Sequence, residues 1–464
     1  MKNNLFFILM LLSLLAACQA QPFTVRPPLT EDGEAYIYIE PLPQQEEGLS
    51  FTVEGISAIA ADGSEIPLTL LLSNLNSAGL KRQRLLAEGI LPKGDYQGFS
   101  MRVAKASRRA ESGEETSLAV PAKPVEMKLL FGVRKRKAIV VSLGLRGPAA
   151  AGPGFSPVFR LFTSGRPVSG VAGFVSNYGS NDITVFDKSS KKVMAVIVTG
   201  AGPKGSALDE RRRRLYVALS GEDAIEVIDS VTLDPLQKIR LNTGDNPREL
   251  VLAQDGALLL AVNEGSNTVS FIDPINYLEV KRVVVGNSPD SILLDRNGRR
   301  AYVFNNLSNS VSVIDIAGRT VAGSFSTEPG PLRGQFNRKG DRLYIINGLS
   351  PFMSVVDPGT FSLLNRISVG SGVASIKVDT VTDQIYLGRS DGATIDIYDP
   401  FSFLPFDFMT AEDGARYMTI DGQENNLLVV GRKGLLFMNL VSKKTVSEID
   451  TGEDPVWVSV AGER

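Results

Sequence analysis

No histidine occurs among the 464 residues, and cysteine and tryptophan occur once each. The first absence removes Ser-His-Asp and Cys-His catalysis, His-ligated haem, and His-bound zinc or copper. A single thiol allows no disulfide within the chain, so stability must come from burial. An excess of one charge is missing as well: 49 bases face 51 acids, a formal net charge of -2. A broad attraction to nucleic acid is therefore not expected. What chemistry remains would use carboxylates, Lys, Tyr, Ser or an oxygen-coordinated cation. The composition thus favours a binding protein over an enzyme and points to no cofactor. Long apolar runs are lacking after the first residues, where Gly, Asp and Arg interrupt every candidate.

The one long apolar stretch, Leu5 to Ala17, follows Lys2 and ends at the sole cysteine, Cys18. As a helix it would rise only roughly 20 Å, well short of a bilayer core of about 30 Å, so it reads as the apolar part of an export signal. The sequence Leu15-Ala16-Ala17-Cys18 resembles the bacterial lipobox. That resemblance implies cleavage of residues 1–17, a diacylglycerol on the Cys18 thiol, and a membrane partner through this lipid. Gln19, where an Asp would retain a Gram-negative lipoprotein in the inner membrane, favours the outer membrane. Ordinary secretion, with cleavage before Gln21, is the alternative. Residues 18–33 contain Pro22, Pro27 and Pro28 and read as a tether.

Residues 34–165 carry short β-branched and aromatic segments: Ala35 to Ile39, Leu49 to Val53 and Lys137 to Leu143. Asp62-Gly63 marks a hairpin, and a short helix is expected near Lys81 to Glu88. Leu91-Pro92-Lys93-Gly94-Asp95-Tyr96 resembles the L-P-x-G-x-Y turn of immunoglobulin-like or prealbumin-like sandwich domains of secreted bacterial proteins. The resemblance implies a β-sandwich with Tyr96 packed over its edge, and carries little function.

Residues 170–464 repeat. Strands ending in a polar residue recur at Asp187, Asp229, Asp273, Asp315, Asp357, Asp399 and Asn439, at spacings of 40 to 44 residues. Seven equivalent units follow from that regularity. Each also holds a strand such as Ala301-Tyr302-Val303-Phe304-Asn305, and Ser266-Asn267-Thr268-Val269-Ser270-Phe271-Ile272-Asp273 follows the next loop pattern. These units resemble the YVTN-type β-propeller repeat. The whole chain is therefore expected to be all-β, an N-terminal β-sandwich followed by a seven-bladed β-propeller, laid out as a rod that starts at the tether. Units of this length bury both faces only by closing a ring. Asp454 to Val460 matches an innermost strand that the first unit, beginning at Gly173, lacks, so the C-terminus should complete the first blade.

The strand-ending acids could be cation ligands, but an Asp there more simply accepts hydrogen bonds from turn amides. Asn177, Asn263, Asn305 and Asn347 are expected to act similarly at the opposite edge. The runs Arg211 to Arg214 and Arg134 to Lys137 read as solvated turns or as contacts to anionic headgroups or polymers. Positions at the channel mouth are Lys204, Arg248, Glu249, Asp290, Arg333, Arg416, Tyr417 and Trp457. Basic groups predominate among them, which suits an anionic ligand or an acidic envelope protein, unless these side chains only seal the blades. Three readings compete. One is a non-enzymatic, membrane-anchored binding or assembly scaffold. Another is a hydrolase or lactonase with an oxygen-coordinated cation in the channel. The third is an accessory partner of a redox protein, this chain carrying no haem itself.

Overall fold

The computed structural model describes residues 26–463 except 166 and 169. Cys18, the export signal and most of the tether lie outside these residues. Among the described residues no helix is long and apolar enough to cross a membrane.

The N-terminal part is a sandwich of two sheets. In one, Phe159–Thr163, Ala138–Leu145, Gly33–Ile39, Arg84–Leu91 and Thr69–Leu70 lie side by side; the other is built on Leu49–Ala60 and Gly94–Arg109. Ile37, Leu86 and Leu143 of the first meet Phe51, Ile56, Phe99 and Met101 of the second in one core. Tyr96 stacks on Phe131 at 5.0 Å and its hydroxyl donates to the Pro92 carbonyl at 2.8 Å, which fixes the L-P-x-G-x-Y turn against its own strand. Asp62 accepts from the Ser64 amide at 2.9 Å while Gly63 takes φ +86°, forming the expected hairpin.

The expected helix near Lys81 to Glu88 is absent; Arg84–Leu91 is a strand. Its run Leu85-Leu86-Ala87 is buried on both faces, Leu86 in the sandwich core and Leu85 against the propeller. A doubly buried strand loses the alternation that separates it from a helix.

Seven four-stranded antiparallel sheets form the propeller. The first blade comprises Ala172–Asn177, Asp182–Asp187 and Lys192–Val198, and Pro455–Val460 from the C-terminus pairs with Ala172–Asn177 as its innermost strand. Innermost strands touch in sequence around the ring and back to the first. The polar strand ends hold turns: Asp187 accepts from the Ser190 amide at 2.7 Å, Asp229 from Val231 at 2.9 Å, and Asn439 from Ser442 at 2.8 Å. Four residues beyond each lies a left-handed residue, Lys191, Leu233, Tyr277, Arg319, Phe361, Phe403 or Lys443. Non-glycine residues adopt this conformation at some cost, which the Asp cap offsets.

A second set of bonds joins neighbouring blades at the opposite face. Asn181, Asp223, Asn267 and Asn309 have φ between +48° and +58°. Their side chains accept from Gly202, Gly244, Ser288 and Gly330 in the turn leading into the next innermost strand, at 2.7 to 2.9 Å. Asn177, Asn263 and Asn305 instead donate across their own blade, to Thr184, Ser270 and Ser312 at 2.8 to 3.0 Å, and Asn347 donates to the Phe352 carbonyl on its neighbouring strand at 2.9 Å. They bind strand to strand rather than capping a turn, a correction to the expected role.

The sandwich does not extend the propeller into a rod. It lies against the outer strands of the first and seventh blades, where Tyr36, Tyr38, Leu85 and Val140 pack with Val193, Val196 and Ile449. Strand Gly33–Ile39 is therefore buried along both faces: Ala35, Ile37 and Ile39 enter the sandwich core, Tyr36 and Tyr38 the seam. Arg84 reaches Asp450 at 2.8 Å, Lys192 reaches Glu40 at 2.6 Å, and Lys137 reaches Asp234 of the second blade at 2.7 Å. Arg26, where the described chain begins, donates its amide to Gly179 on the loop after Asn177 at 3.0 Å. The chain thus enters beside the channel mouth rather than at the far end of the sandwich.

Candidate functional site

The channel holds two chambers. The upper one, about 320 Å³, opens among the loops that carry Tyr178 and is lined by Lys204, Arg248, Glu249, Asp290, Arg333, Asp454, Val456 and Trp457. A lower chamber of about 410 Å³ runs towards the other face, past Ser206, Ser291, Lys377, Tyr417 and Glu463. Glu249, Arg333 and Trp457 border both, so they form the partition.

The partition is a charged pair clasped by rings. Arg333 lies 3.0 Å from Glu249, and its guanidinium stands 5.0 Å from the Tyr417 ring and 5.1 Å from that of Trp457. The two rings stack at 3.9 Å, and the indole N–H donates to the Ser206 carbonyl at 3.1 Å. Electron-rich faces and a carboxylate together replace the water that a buried guanidinium gives up. Burial pushes the Glu249 carboxyl up to about 7 against the opposing pull of Arg333, and the nearby Asp290 charge pushes the same way.

Above the partition the cations are paired. Arg248 lies 2.8 Å from Glu264 and 2.6 Å from Asp290, and Arg416 bonds Asp454. Lys204 is the most loosely held, 3.7 Å from Glu264 and 5.6 Å above the centre of the Tyr178 ring. Burial and the neighbouring Arg248 lower its ammonium from the ordinary lysine range. Basic groups predominate among the residues read from sequence, but the fold brings in Glu264 and Asp454 and balances the mouth.

Lys204, Arg248, Glu249, Asp290, Arg333 and Trp457 thus share the upper chamber. Tyr417 lies below, in the lower chamber, and Arg416 stands beside the cavity wall through its bond to Asp454. Tyr178, Glu264, Asp454 and Val456 escaped sequence reasoning. Tyr178 and Glu264 each follow the strand-ending asparagine of a blade, Asn177 and Asn263, and that position, read across repeats, signals the mouth. Among the described residues no group of three or more His, Cys, Asp or Glu is arranged to hold a metal ion.

No family model matches the sequence, and no curated protein matches it either. Solved structures do resemble the fold. Hydrazine synthase of Kuenenia stuttgartiensis aligns with a TM-score of 0.51 at 15% identity, over 62% of this chain and 94% of that one. The dihydro-heme d1 dehydrogenase NirN, solved in complex with DHE, aligns at 0.52 and 14% identity, over 65% and 76%. A functionally unknown protein from Desulfotomaculum acetoxidans DSM 771 aligns at 0.55 and 14% identity, over 62% and 98%. At such identities the likeness defines the class alone: a β-propeller protein, here with a β-sandwich docked on its side.

Proposed function

We propose that this protein is a lipid-anchored lipoprotein of the bacterial cell envelope, attached through Cys18 and favouring the outer membrane. Its propeller, of the YVTN type, serves as a non-enzymatic binding or assembly platform, and its sandwich is of the immunoglobulin-like or prealbumin-like kind. The observation that carries the reading is the upper chamber, where paired charges stand on innermost strands above a floor that includes Trp457, itself stacked on Tyr417 beneath. A partner meeting this surface orders few side chains, which keeps the entropic cost of binding low.

The partner is an envelope protein or an anionic ligand, with Lys204 as the cation best able to leave its acid for a new one. Eight residue steps separate Cys18 from Arg26, a reach of at most about 30 Å. A lipid on Cys18 would therefore keep the mouth close to the anchoring membrane. The test is crosslinking in native envelopes, followed by capture with Lys204→Ala plus Tyr178→Ala. These side chains are tied less tightly than Arg248 and Arg416, whose reversal would set like charges against the half-buried Glu264, Asp290 and Asp454. Loss of the captured partner with an unchanged thermal transition supports the platform; identical capture overturns it. Lipid attachment is checked separately by the mass of the mature N-terminus and by release from membranes in Cys18→Ala.

A second reading, a hydrolase or lactonase, is favoured by Glu249, whose carboxyl near 7 in a chamber wall suits a general base. Lactone or ester hydrolysis that needs calcium and is lost in Glu249→Gln would replace the first reading.

A further inference from the structure

The face opposite the mouth carries cations of another kind. It is formed by the loops that join innermost to second strands and third to fourth strands. In the fourth blade the first of these is Asp295 to Arg300, and in the fifth Asn337 to Arg342. Together the two loops hold six bases, Arg296, Arg299, Arg300, Arg338, Lys339 and Arg342, against two acids, Asp295 and Asp341. All the bases but Arg342 are exposed. Among the described residues none of the six has an ion pair to a carboxylate, whereas each cation lining the upper chamber has one.

The local acids are otherwise engaged. Asp295 accepts from the amides of Arg299 and Arg300 at 2.7 and 3.2 Å, and Asp341 accepts from the Asn337 side chain at 2.7 Å. Asp383 of the sixth blade accepts from the Arg338 amide at 2.7 Å. Turn geometry would be served by one acid per loop with any exposed residues beside it, so it does not account for six bases. The loops also touch, since the Arg296 guanidinium donates to the Arg338 carbonyl at 2.5 Å. Two arginine-bearing loops therefore form one continuous cationic surface. The run Arg211 to Arg214 is less free, because Arg212 bonds Asp209 at 2.7 Å and Arg214 bonds Asp229 at 3.0 Å.

We propose that this underside of the fourth and fifth blades binds a linear polyanion bearing phosphate or carboxylate groups on successive units. Guanidinium forks on adjacent loops match repeated anions better than a single one. The choice of a polymer over a bilayer rests on the proposed anchor: Arg26 enters on the mouth face, which turns the underside away from the membrane that holds Cys18.

Binding of the full chain to inorganic polyphosphate and to polygalacturonate is measured over a series of salt concentrations. Arg296→Glu plus Arg338→Glu is compared with Arg432→Glu plus Lys433→Glu, an equal charge change at exposed residues of the seventh blade's mouth loop. The expected result is a loss of at least about tenfold for the first pair only, with the salt slope reduced by about two. Arg296→Gln plus Arg338→Gln repeats the comparison if the reversal disturbs folding. No binding of either polymer by the wild type, or equal loss in both pairs, overturns the proposal. So does binding of the Cys18→Ser chain to phosphatidylglycerol vesicles with no affinity for the polymers, which would make the face a lipid contact. Because that chain lacks the acceptor thiol, the result does not depend on whether Cys18 is lipidated.

Discussion

Lys188 places its ammonium 3.0 Å from the Asp421 carboxylate, with both side chains buried. The same ammonium donates to the Ala461 carbonyl at 2.6 Å and the Gln423 side chain at 3.1 Å. It therefore ties the turn of the first blade to the seventh blade and to the chain just beyond the closing strand. A buried cation with three partners is satisfied, and removing it leaves Asp421 without a counter-charge among the described residues, held by the Gln423 amide at 3.0 Å. Lys188→Met should destabilise the fold by about 3 to 5 kcal/mol, the usual cost of breaking a buried pair from one side. Equilibrium denaturation reads the loss. A cost below about 1 kcal/mol would show that Asp421 finds solvent instead.

Ring closure makes a second expectation. Pro455–Val460 supplies the innermost strand of the first blade and places Trp457 in the channel partition. Removing residues 454–464 exposes the edge of Ala172–Asn177 and the hydrophobic faces beside Val175 and Phe186. The truncated chain should unfold at markedly lower temperature and associate through the open edge. An unchanged thermal transition, with monomeric elution, would sink the closure argument.

Much of this ring was legible because each blade solves the same steric problem with the same residues. An Asp or Asn that caps a turn recurs every 40 to 44 residues, so spacing alone reveals it; the left-handed Asn181, Asp223, Asn267 and Asn309, which join neighbouring blades, recur in four blades only and escaped sequence reasoning. Arg84–Leu91 was not legible, because burial on two faces erases the alternation that marks a strand. The side-on docking was hidden for the same reason: Tyr36 and Tyr38 alternate with Ala35 and Ile37 like a solvent-facing set, yet they face the propeller. At the mouth, Glu264 pairs with Arg248 of its own blade from a loop 16 residues further on, and Asp454 of the first blade pairs with Arg416 of the seventh, so no local pattern announces either partner.

The partition carries a pH dependence. Burial lifts Glu249 to about 7 and Asp182 to about 6, both above ordinary carboxylate values. Between about pH 4 and pH 7 the folded chain then holds protons that the unfolded chain releases. Stability should fall as pH rises through this window and level off above it, because the unfolded state binds fewer protons there. Glu249→Gln should flatten the part of the slope between pH 5 and 7, and above about pH 7, where wild-type Glu249 is ionised, the variant should also lack the counter-charge of Arg333. Denaturation midpoints at pH 5, 6, 7 and 8 decide the matter; parallel profiles for wild type and variant would place the proton elsewhere.

At the seam between sandwich and propeller, Glu34, Glu88 and Asp182 form a buried cluster of carboxylates beside Arg26. Arg26 bonds Glu34 at 2.8 Å and Glu88 at 3.1 Å, while the Tyr36 hydroxyl lies 2.9 Å from Glu34 and 3.3 Å from Asp182. Burial raises the carboxyls of Glu34 and Glu88, and Arg26 opposes it. With Arg26→Ala that opposition goes, so both acids stay protonated to higher pH. At pH 5 they can be buried neutral and the variant should lose little. At pH 8 they must be buried charged or drawn out, and the loss should reach about 2 to 4 kcal/mol. Thermal transitions of wild type and Arg26→Ala at the two pH values test this. An equal loss at both would mean that Arg26 holds the seam by packing and its backbone bond to Gly179, not by its charge.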